Sequence, residues 1–460
     1  MRSSSRLGVP FALVEALFLF LGMRWRFPRA ERKGLEARQL RLAVARARFA
    51  ARRSPYFREL YRGMDIRDFF SLPTVGKREM MERLGDWTTS GIPREKIMDF
   101  CLAAEESRDF GRRLNGYVCV LSTGTSGARG VEMVSRREEI LLKAAFLARF
   151  PLVAKERLRV AFILRVFSPG LKFHAFGHHV EYVDPLVPFQ EMKRRIDEID
   201  PNVLSGPPQA LRLLAREKAK GRLSASPKRI VSYGETLWPD VRAEIAKAFG
   251  CRVDEIYKCT ESAIAMPCGE GRLHVNEDLV LLETLDENGR EVAPGRPCTR
   301  LLVTDLVKRS CPIIRYELND IVTISKESCP CGSHFRVIES IQGRLDDLFW
   351  LPSATGEGLL PVLPDFIARA VVSYLPEALE WCAVEESPER VVVRVETEEG
   401  GVSPGHEAAL SARLATVFAA AGCVVPSIAV EGASTGAGDL DRKFRRVRRA
   451  FDLPNPGRLG

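Results

Sequence analysis

The spacing of apolar positions changes along this 460-residue chain, and each spacing predicts a different element. Residues 30–63 carry Leu, Ala and Phe at helical intervals among Arg residues, and this pattern ends near Ser54-Pro55-Tyr56. From about 115 to 340, short apolar runs such as VCVL, RVAFIL, RIVSY and RLLVTDL alternate with helical segments at 135–150, 190–200, 208–220 and 238–249. Such alternation predicts α/β layers.

The pattern becomes shorter around Gly343, where WCAV and RVVVRVE predict strands and residues 405–421 predict a helix. A chain of this length exceeds the roughly 250–300 residues at which one core stops growing. We therefore expect an α/β protein with a large multilayered N-terminal domain and a small, mobile α+β C-terminal domain. The predicted parts are a helical layer over 1–63, the rest of the large domain over 64–343, and the small domain over 344–460.

The net charge of +9 is concentrated at the two ends. Thirteen Arg and one Lys against four Glu give residues 1–60 a charge of +10, and residues 441–460 add six Arg and one Lys against two Asp. The body between them is close to −6, which argues against a protein-wide nucleic-acid surface, so no nucleic-acid partner is expected. A solvated helix face and a surface for anionic lipid both remain open for the basic N-terminus.

An apolar stretch from Val9 to Met23 lies within this basic segment. It contains Glu15, lacks a small-residue cleavage site and is shorter than the roughly 20 residues that span a bilayer. We expect a buried or membrane-surface helix, with peripheral membrane contact open and no transmembrane span. Eleven Cys without a repeating spacing favour reduced thiols and a cytoplasmic location.

Four of the potential soft ligands fall in two short segments, Cys268-x5-His274 and Cys329-x-Cys331. Their composition suits tetrahedral zinc, and a closed four-ligand site is structural and not catalytic. His334 is a spare candidate. The alternative interpretation is a set of buried free thiols, because Cys-x-Cys is less diagnostic than paired Cys-x2-Cys.

The first motif with chemical meaning is LSTGTSGARG, which follows the apolar run YVCVL. Glycines let backbone N–H groups point inward at an anion, and hydroxyl groups add donors. The segment lacks the Gly-Lys-Ser/Thr ending of a Walker A loop. It predicts a phosphate-binding loop whose candidate residues are Ser122, Thr123, Gly124, Thr125, Ser126, Gly127 and Arg129.

Further motifs follow in order: Tyr233-Gly234-Glu235, IYKCTE at 256–261, PIIRY at 312–316 with Asp320, and GRLDD at 343–347. With the glycine-rich loop they resemble the signatures of the adenylate-forming superfamily of acyl-CoA synthetases, adenylation domains and luciferases. The similarity is strongest to phenylacetate-CoA ligases and the related deazaflavin-adenylating (coenzyme F) synthetases. Within that branch, CPCGS followed by GRLDD is similar to an uncharacterised adenylate-forming group. The resemblance covers residues 30–350 well and the C-terminal domain weakly.

The resemblance implies that ATP and Mg2+ bind in residues 64–343, the adenylation domain. It puts adenine beside Gly234 and Glu235, with Tyr257 stacking on the ring, and the phosphates at Thr260. Glu261 would hold magnesium, which suits a hard cation that prefers carboxylate and phosphate oxygens. Asp320 would accept hydrogen bonds from the ribose hydroxyls, with Arg344 as an added donor. Lys443 is the candidate for the lysine that family members supply from the mobile domain, and Asp346 for the hinge.

The function implied is ATP-dependent activation of a small-molecule carboxylic acid to acyl-AMP, followed by transfer to CoA. Adenylylation of a hydroxyl, acyl transfer to an amine or carrier protein, and a non-catalytic nucleotide-binding or membrane-surface role remain open. Lys258, Cys259 and Ser262 depart from the family pattern, so no phenylacetate preference is transferred. Residues 165–189, with His174, His178 and His179, are interpreted as packing or acyl-pocket lining. The related branch also makes a homodimer an expectation.

Overall fold

The computed structural model describes residues 8–122, 129–149, 156–166, 173–175, 177–356, 358–438 and 443–451. Among these, side chains are described except those of residues 8–13, 173–175 and 346. The chain divides into two compact units, one comprising 1–318 and 322–340 and the other 319–321 and 341–460. Compactness alone does not establish independent domains, so the predicted boundaries at 63 and 343 stay predictions.

The helical segments predicted after residue 30 and at 135–150, 190–200, 208–220 and 238–249 are helices in the structure, and three helices between residues 77 and 107 were not predicted. The helix predicted after residue 30 ends at Arg53, and the Ser54 hydroxyl caps the next helix by accepting from the Phe57 amide at 3.2 Å. The described helices are α1 (Gly8–Leu21), α2 (Arg32–Arg53), α3 (Pro55–Leu60), α4 (Lys77–Glu82), α5 (Leu84–Trp87), α6 (Arg94–Ser107), α7 (Arg136–Arg149), α8 (Phe189–Ile199), α9 (Pro208–Ala219) and α10 (Pro239–Phe249). None of the helices in the described residues is long and apolar enough to cross a bilayer.

The strands that lie wholly or partly in this unit form one large sheet and two small ones, with the ends of β14 and β15 at residues 320–321 and 341–344 counted in the second unit. They are β1 (Val118–Leu121), β2 (Val131–Val134), β3 (Arg159–Ile163), β4 (Phe173–Ala175), β5 (His178–Val183), β6 (Val203–Gly206), β7 (Arg229–Tyr233), β8 (Arg252–Lys258), β9 (Ala263–Pro267), β10 (Leu273–Val275), β11 (Val280–Leu285), β12 (Arg300–Asp305), β13 (Tyr316–Leu318), β14 (Asp320–Ile324) and β15 (Val337–Arg344). The large sheet has the order β14-β15-β10-β9-β8-β7-β6-β3-β5-β4. β1 pairs with β2, and β11, β12 and β13 form an antiparallel sheet.

The middle of the large sheet is parallel from β5 through β3, β6 and β7 to β8. Helices α8, α9 and α10 connect successive strands here, as parallel crossovers require. Val160, Phe162, Val203, Val231 and Met266 form a buried cluster against this sheet. Ligands of open α/β sheets bind beyond the carboxyl ends of such strands, so the turns after β7 and β8 are candidate ligand-binding positions.

The second unit has the predicted α+β composition. Its elements are β16 (Phe349–Pro352), β17 (Leu359–Val362), α11 (Pro364–Tyr374), β18 (Glu380–Ser387), β19 (Arg390–Glu396), α12 (Pro404–Ala420), β20 (Ser427–Gly432) and β21 (Val447–Arg449). The strands predicted from WCAV and RVVVRVE are β18 and β19, which pair antiparallel at the centre of the four-stranded sheet β20-β19-β18-β21. The fold class predicted from the sequence is confirmed.

A buried acid lies inside this second unit. Glu385 on β18 is fully buried, and its two carboxyl oxygens accept from the Trp350 amide at 3.1 and 3.0 Å. Burial raises the pKa of Glu385 to about 7, although the Trp350 amide and the Arg449 charge act in the opposite direction. The folded unit therefore holds a proton that an unfolded chain releases near pH 4.5.

This difference makes stability depend on pH. Because the folded pKa is the higher one, the free energy of unfolding should fall as pH rises from about 4.5 to 7, and Glu385→Gln should remove much of that slope. We expect the substitution to reduce the change in the free energy of unfolding between pH 5 and 7.5 by about 1–2 kcal/mol. Urea unfolding measures this change. Glu399→Gln, at an exposed position of the same unit, is the control. Equal slopes in the wild type and Glu385→Gln would contradict the assignment.

Candidate active site

The ends of the glycine-rich loop are held by the β1–β2 hairpin. The Ser122 amide donates to the Gly130 carbonyl at 2.8 Å, and the Gly130 amide donates to the Ser122 hydroxyl at 2.7 Å. Arg129 Nε donates to the Ser122 carbonyl at 2.8 Å, and its guanidinium pairs with Glu105. Ser122 and Arg129 therefore close the base of the loop. The other candidates, Thr123, Gly124, Thr125, Ser126 and Gly127, lie outside the described residues.

Glu261 lies in a tight turn between β8 and β9. The Cys259 amide donates to the Ser262 carbonyl at 3.1 Å, and the Ser262 hydroxyl donates to Asp305 Oδ2 at 2.8 Å. Glu261 is only 2% exposed, and its Oε1 accepts from the Tyr316 hydroxyl at 3.0 Å. Burial, and next the neighbouring Glu261, raise the pKa of Tyr316, so the phenol remains a donor. The turn and the phenol together fix the direction of the Glu261 side chain.

The Glu261 carboxyl group lies directly against the base of the loop. A Cβ added to Gly130 would be 2.8 Å from Glu261 Oε1, a separation that real Cβ atoms do not show. Only glycine therefore fits there without moving Glu261. Two sequence motifs separated by more than a hundred residues thus meet at one point, where a phosphate-bound cation would need its carboxylate ligand.

A cation that the sequence analysis missed also lies at this point. Lys77 begins α4, and its Nζ is 3.7 Å from Glu261 Oε1. A parallel bridge between Val75 and Tyr316 brings the segment before α4 beside the backbone of Tyr316. A single Lys in a surface-like sequence gives no local signal, and only the pairing with a distant strand reveals its position.

A second missed residue, Lys308, supports the turn from the buried side. Its Nζ donates to the Glu261 carbonyl at 2.7 Å and pairs with Glu132 Oε1 at 3.0 Å. Burial acts to lower the pKa of Lys308, but Glu132 and Asp305 outweigh it and raise the pKa. This lysine is therefore charged and fixes the backbone from which Thr260 and Glu261 project.

The predicted adenine-binding residues are neighbours at the carboxyl ends of two parallel strands. Tyr233 of β7 is in register with Ile256 of β8, so Gly234 and Tyr257 come next to each other along the two strands. Gly234 has φ of +86°, which a residue with a side chain rarely adopts, and Tyr257 is 8% exposed. Glu235 follows in a bend and is half-buried. The contacts predicted with adenine remain predictions.

The candidate ribose ligands lie in the second unit. Asp320 Oδ1 is 3.5 Å from Arg344 Nε, and both side chains are partly exposed. The Leu345 amide donates to the Asn319 carbonyl at 2.7 Å, which holds the two segments together. The structure therefore joins the predicted acceptor and donor in one pair.

The predicted hinge and lysine belong to the same unit. The backbone at Gly343 has φ of +106°, and Asp346 follows in a helical turn, although its side chain is outside the description. Asp347 pairs with Arg445, and burial raises the pKa of Asp347 despite that charge. Lys443, two residues before Arg445, is half-buried. The roles of Asp346 and Lys443 stay predictions.

The histidine-rich segment is part of β5 where its side chains are described, and its interpretation as packing or acyl-pocket lining stays a prediction. The Leu158 amide donates to His178 Nδ1 at 3.0 Å, and His179 is in register with Arg159 on β3. The His174 side chain is outside the description, and so is Phe176.

The four candidate metal ligands converge in the first unit. The donor atoms of Cys268, His274, Cys329 and Cys331 all lie within 4.8 Å of one another. Cys268 Sγ is 3.7 Å from Cys329 Sγ, and Cys331 Sγ is 3.5 Å from His274 Nε2. Two sulfurs about 2.3 Å from a tetrahedral zinc ion are about 3.8 Å apart, so this donor set fits zinc.

The surroundings of the cluster also suit a metal. His274 Nδ1 lies 3.0 Å from the Phe335 carbonyl, an outer contact that orients the ring and leaves Nε2 for a metal. His334, the spare candidate, instead places Nδ1 3.0 Å from the Ala30 carbonyl and is not part of the cluster. Three sulfurs and one nitrogen complete a tetrahedron, as in a closed structural site.

Comparison with known proteins gives related enzymes and a shared fold. No family model matches the chain. Phenylacetate-coenzyme A ligase of Thermus thermophilus is 23% identical over 398 residues, which cover 81% of this chain and 83% of that protein. The structure of 2-hydroxyisobutyryl-CoA ligase in its postadenylation state with R3-HIB-AMP matches with a TM-score of 0.67 at 18% identity, covering 89% of this chain and 88% of that one. An open conformation of that ligase with 2-HIB-AMP and CoA gives 0.57 at 18% identity, covering 90% of each chain.

The fold and these matches define a class. The chain has the fold of adenylate-forming enzymes, and the predicted resemblance to that superfamily is confirmed. The particular relatives are acid-CoA ligases, among them phenylacetate-coenzyme A ligase and 2-hydroxyisobutyryl-CoA ligase.

The cysteine cluster generates a direct test. We expect purified protein to contain about one zinc ion per chain, and Cys268→Ser to lower both the zinc content and Tm because the site loses one of four ligands. Metal analysis and thermal unfolding measure the two effects. Cys251→Ser, at a half-buried free cysteine outside the cluster, should change neither. Metal-free protein with unchanged Tm would support the buried-thiol interpretation.

Proposed function

We propose that this chain uses ATP and magnesium to convert a carboxylic acid to its acyl-AMP and then transfers the acyl group to the thiol of CoA. The contact between Glu261 and the base of the glycine-rich loop carries this proposal, because it joins a predicted magnesium ligand to a predicted phosphate loop. The acid-CoA ligases among the matched proteins support the same reaction.

In the first half-reaction, an oxygen of the substrate carboxylate attacks the α-phosphorus of ATP, and pyrophosphate leaves. Magnesium held by Glu261 would neutralise charge on the phosphate oxygens. Thr260 lies in the same turn and would donate to the phosphate. Lys77, 3.7 Å from Glu261, places a second positive charge where negative charge builds up. Tyr316 keeps the Glu261 carboxyl group pointed at this position.

Nucleotide recognition would use the residues that the family resemblance assigns to adenine and ribose. Adenine would rest beside Gly234 and Glu235 with Tyr257 against its face, and Asp320 would accept from the ribose hydroxyls. Arg344, which already pairs with Asp320, would add a donor to the ribose or phosphate. These assignments follow the family resemblance and the strand register of β7 and β8.

In the second half-reaction, the CoA sulfur attacks the acyl carbon, the bond to the AMP oxygen breaks, and AMP leaves. Lys443 would serve the first half-reaction, and rotation about Asp346 would replace it with a thiol-accepting arrangement. The 2-hydroxyisobutyryl-CoA ligase structure with both an acyl-AMP and CoA supports the choice of CoA as acceptor. Zinc at the cluster of three cysteines and one histidine would have a structural role.

Acid-dependent exchange of labelled pyrophosphate into ATP tests adenylation without assuming an acceptor. We propose a panel of aryl and medium-chain acids with magnesium, followed by addition of CoA. Exchange with one class of acid, and thioester formation with CoA, would support both half-reactions. Exchange without thioester formation would indicate that the acyl acceptor is an amine or a carrier protein. Absence of exchange in folded, ATP-binding protein would favour hydroxyl adenylylation or a non-catalytic role.

Removing the magnesium ligand should stop the first half-reaction. We expect Glu261→Gln to lower the exchange rate by about 100-fold or more, because the amide retains the Tyr316 contact but loses the charge that holds magnesium. Circular dichroism should show an unchanged fold. The control Glu287→Gln replaces an exposed glutamate of the same unit and should leave exchange unchanged. Full exchange in Glu261→Gln would remove this residue from the mechanism.

The lysine of the second unit should affect only one half-reaction. We expect Lys443→Ala to slow pyrophosphate exchange by about 100-fold, while thioester formation from supplied acyl-AMP and CoA stays close to the wild-type rate. The control is Arg413→Ala, which also removes one positive charge, at an exposed position on α12. Equal losses in both half-reactions of Lys443→Ala would assign the residue a structural role.

A further inference from the structure

The first helix presents an apolar stripe to solvent. Val14, Leu17, Phe18 and Leu21 are 54%, 57%, 71% and 39% exposed, and their spacing of three, one and three residues puts them on one face of α1. Trp25, in the helical turn that follows, is 54% exposed. We call these five residues the α1 stripe. Scattered exposed apolar residues are ordinary, but a continuous helical face of this kind indicates an interaction site.

The opposite face of the helix fixes the direction of the stripe. Ala16 is 7% exposed and Met23 is 1% exposed, so these residues pack inward. Glu15 pairs with Arg137 at the start of α7 through both guanidinium donors. The helix is thus attached to the first unit by its inner face, and the α1 stripe points away from that attachment.

Positive charge lies at the end of the stripe. Arg24, Arg26 and Arg29 are exposed, and Arg24 and Arg29 use one guanidinium donor each on the carbonyls of Ala148 and Trp25. Among the described residues, none of the three arginines forms an ion pair with a carboxylate. Their charge is therefore available to an anionic partner.

We infer that the α1 stripe and its three arginines bind the surface of a membrane that contains anionic lipid. A helix of 14 residues is about 21 Å long, too short to span a bilayer but suited to lie in its interface. Apolar side chains would enter the acyl boundary, Trp25 would occupy the headgroup level, and the arginines would face lipid phosphates. A second copy packed with its α1 parallel to this one would bring the two sets of arginines together, which disfavours that contact.

Flotation with vesicles tests this inference on the full-length protein. We expect binding to phosphatidylcholine vesicles containing phosphatidylserine, weaker binding to phosphatidylcholine alone, and a decrease with added salt. The double variant Leu17→Ser/Phe18→Ser should reduce the partition coefficient on anionic vesicles by about tenfold or more, because both side chains lose their burial in the lipid boundary. Its control is Leu102→Ser/Phe70→Ser, which removes a leucine and a phenylalanine that are 48% and 53% exposed elsewhere in the first unit.

A second variant tests how the arginine charges contribute to vesicle binding. Arg24→Gln/Arg26→Gln should weaken binding to anionic vesicles but leave binding to neutral vesicles unchanged, whereas Arg62→Gln should alter neither. Light scattering of the protein without vesicles tests whether a second copy of the chain covers the α1 stripe. Failure of the wild type to float with anionic vesicles would overturn the inference. A dimer that dissociates in Leu17→Ser/Phe18→Ser would also overturn it, because a second copy would then cover the stripe.

Discussion

The candidate active site depends on one buried carboxyl group. Glu261 is almost completely removed from water, and a buried carboxyl group is costly unless its surroundings compensate for the lost hydration. Tyr316 supplies a hydrogen bond, Lys77 a nearby charge, and Lys308 holds the backbone of the same residue. Segments from three distant parts of the chain, around residues 77, 261 and 308–316, therefore meet at this residue.

The sequence predicted regular elements well because their signals are local. The helix that stops at Ser54 and the strands β18 and β19 follow from apolar spacing and capping within a few residues. Long-range arrangement has no such signal. The Val75–Tyr316 bridge that places Lys77 joins segments far apart in sequence, so Lys77 could not be assigned to the site from its sequence neighbours.

In the candidate site, too, some features follow from residue type and others depend on long-range packing. Cys268, His274, Cys329 and Cys331 could be grouped from residue type, because few side chains bind soft metals, and their donor atoms do meet. Arg129 was predicted to add a charge to the phosphate-binding loop, and that role stays a prediction; the structure adds the pairing of its guanidinium with Glu105 at the base of the loop. Residue type identifies the charge that a side chain carries, but the partner that neutralises it depends on packing.

Gly130 shows how a neighbouring side chain can restrict the residue types that fit at a position without functional groups of its own. It offers a ligand no side chain, yet the space that its Cβ would occupy is already filled by the Glu261 carboxyl oxygen. A side chain at Gly130 would require the Glu261 carboxyl group to shift. Tolerance at this position therefore reports on the geometry of a neighbour, and a map of intolerant positions would outline the shape of the site as well as its chemistry.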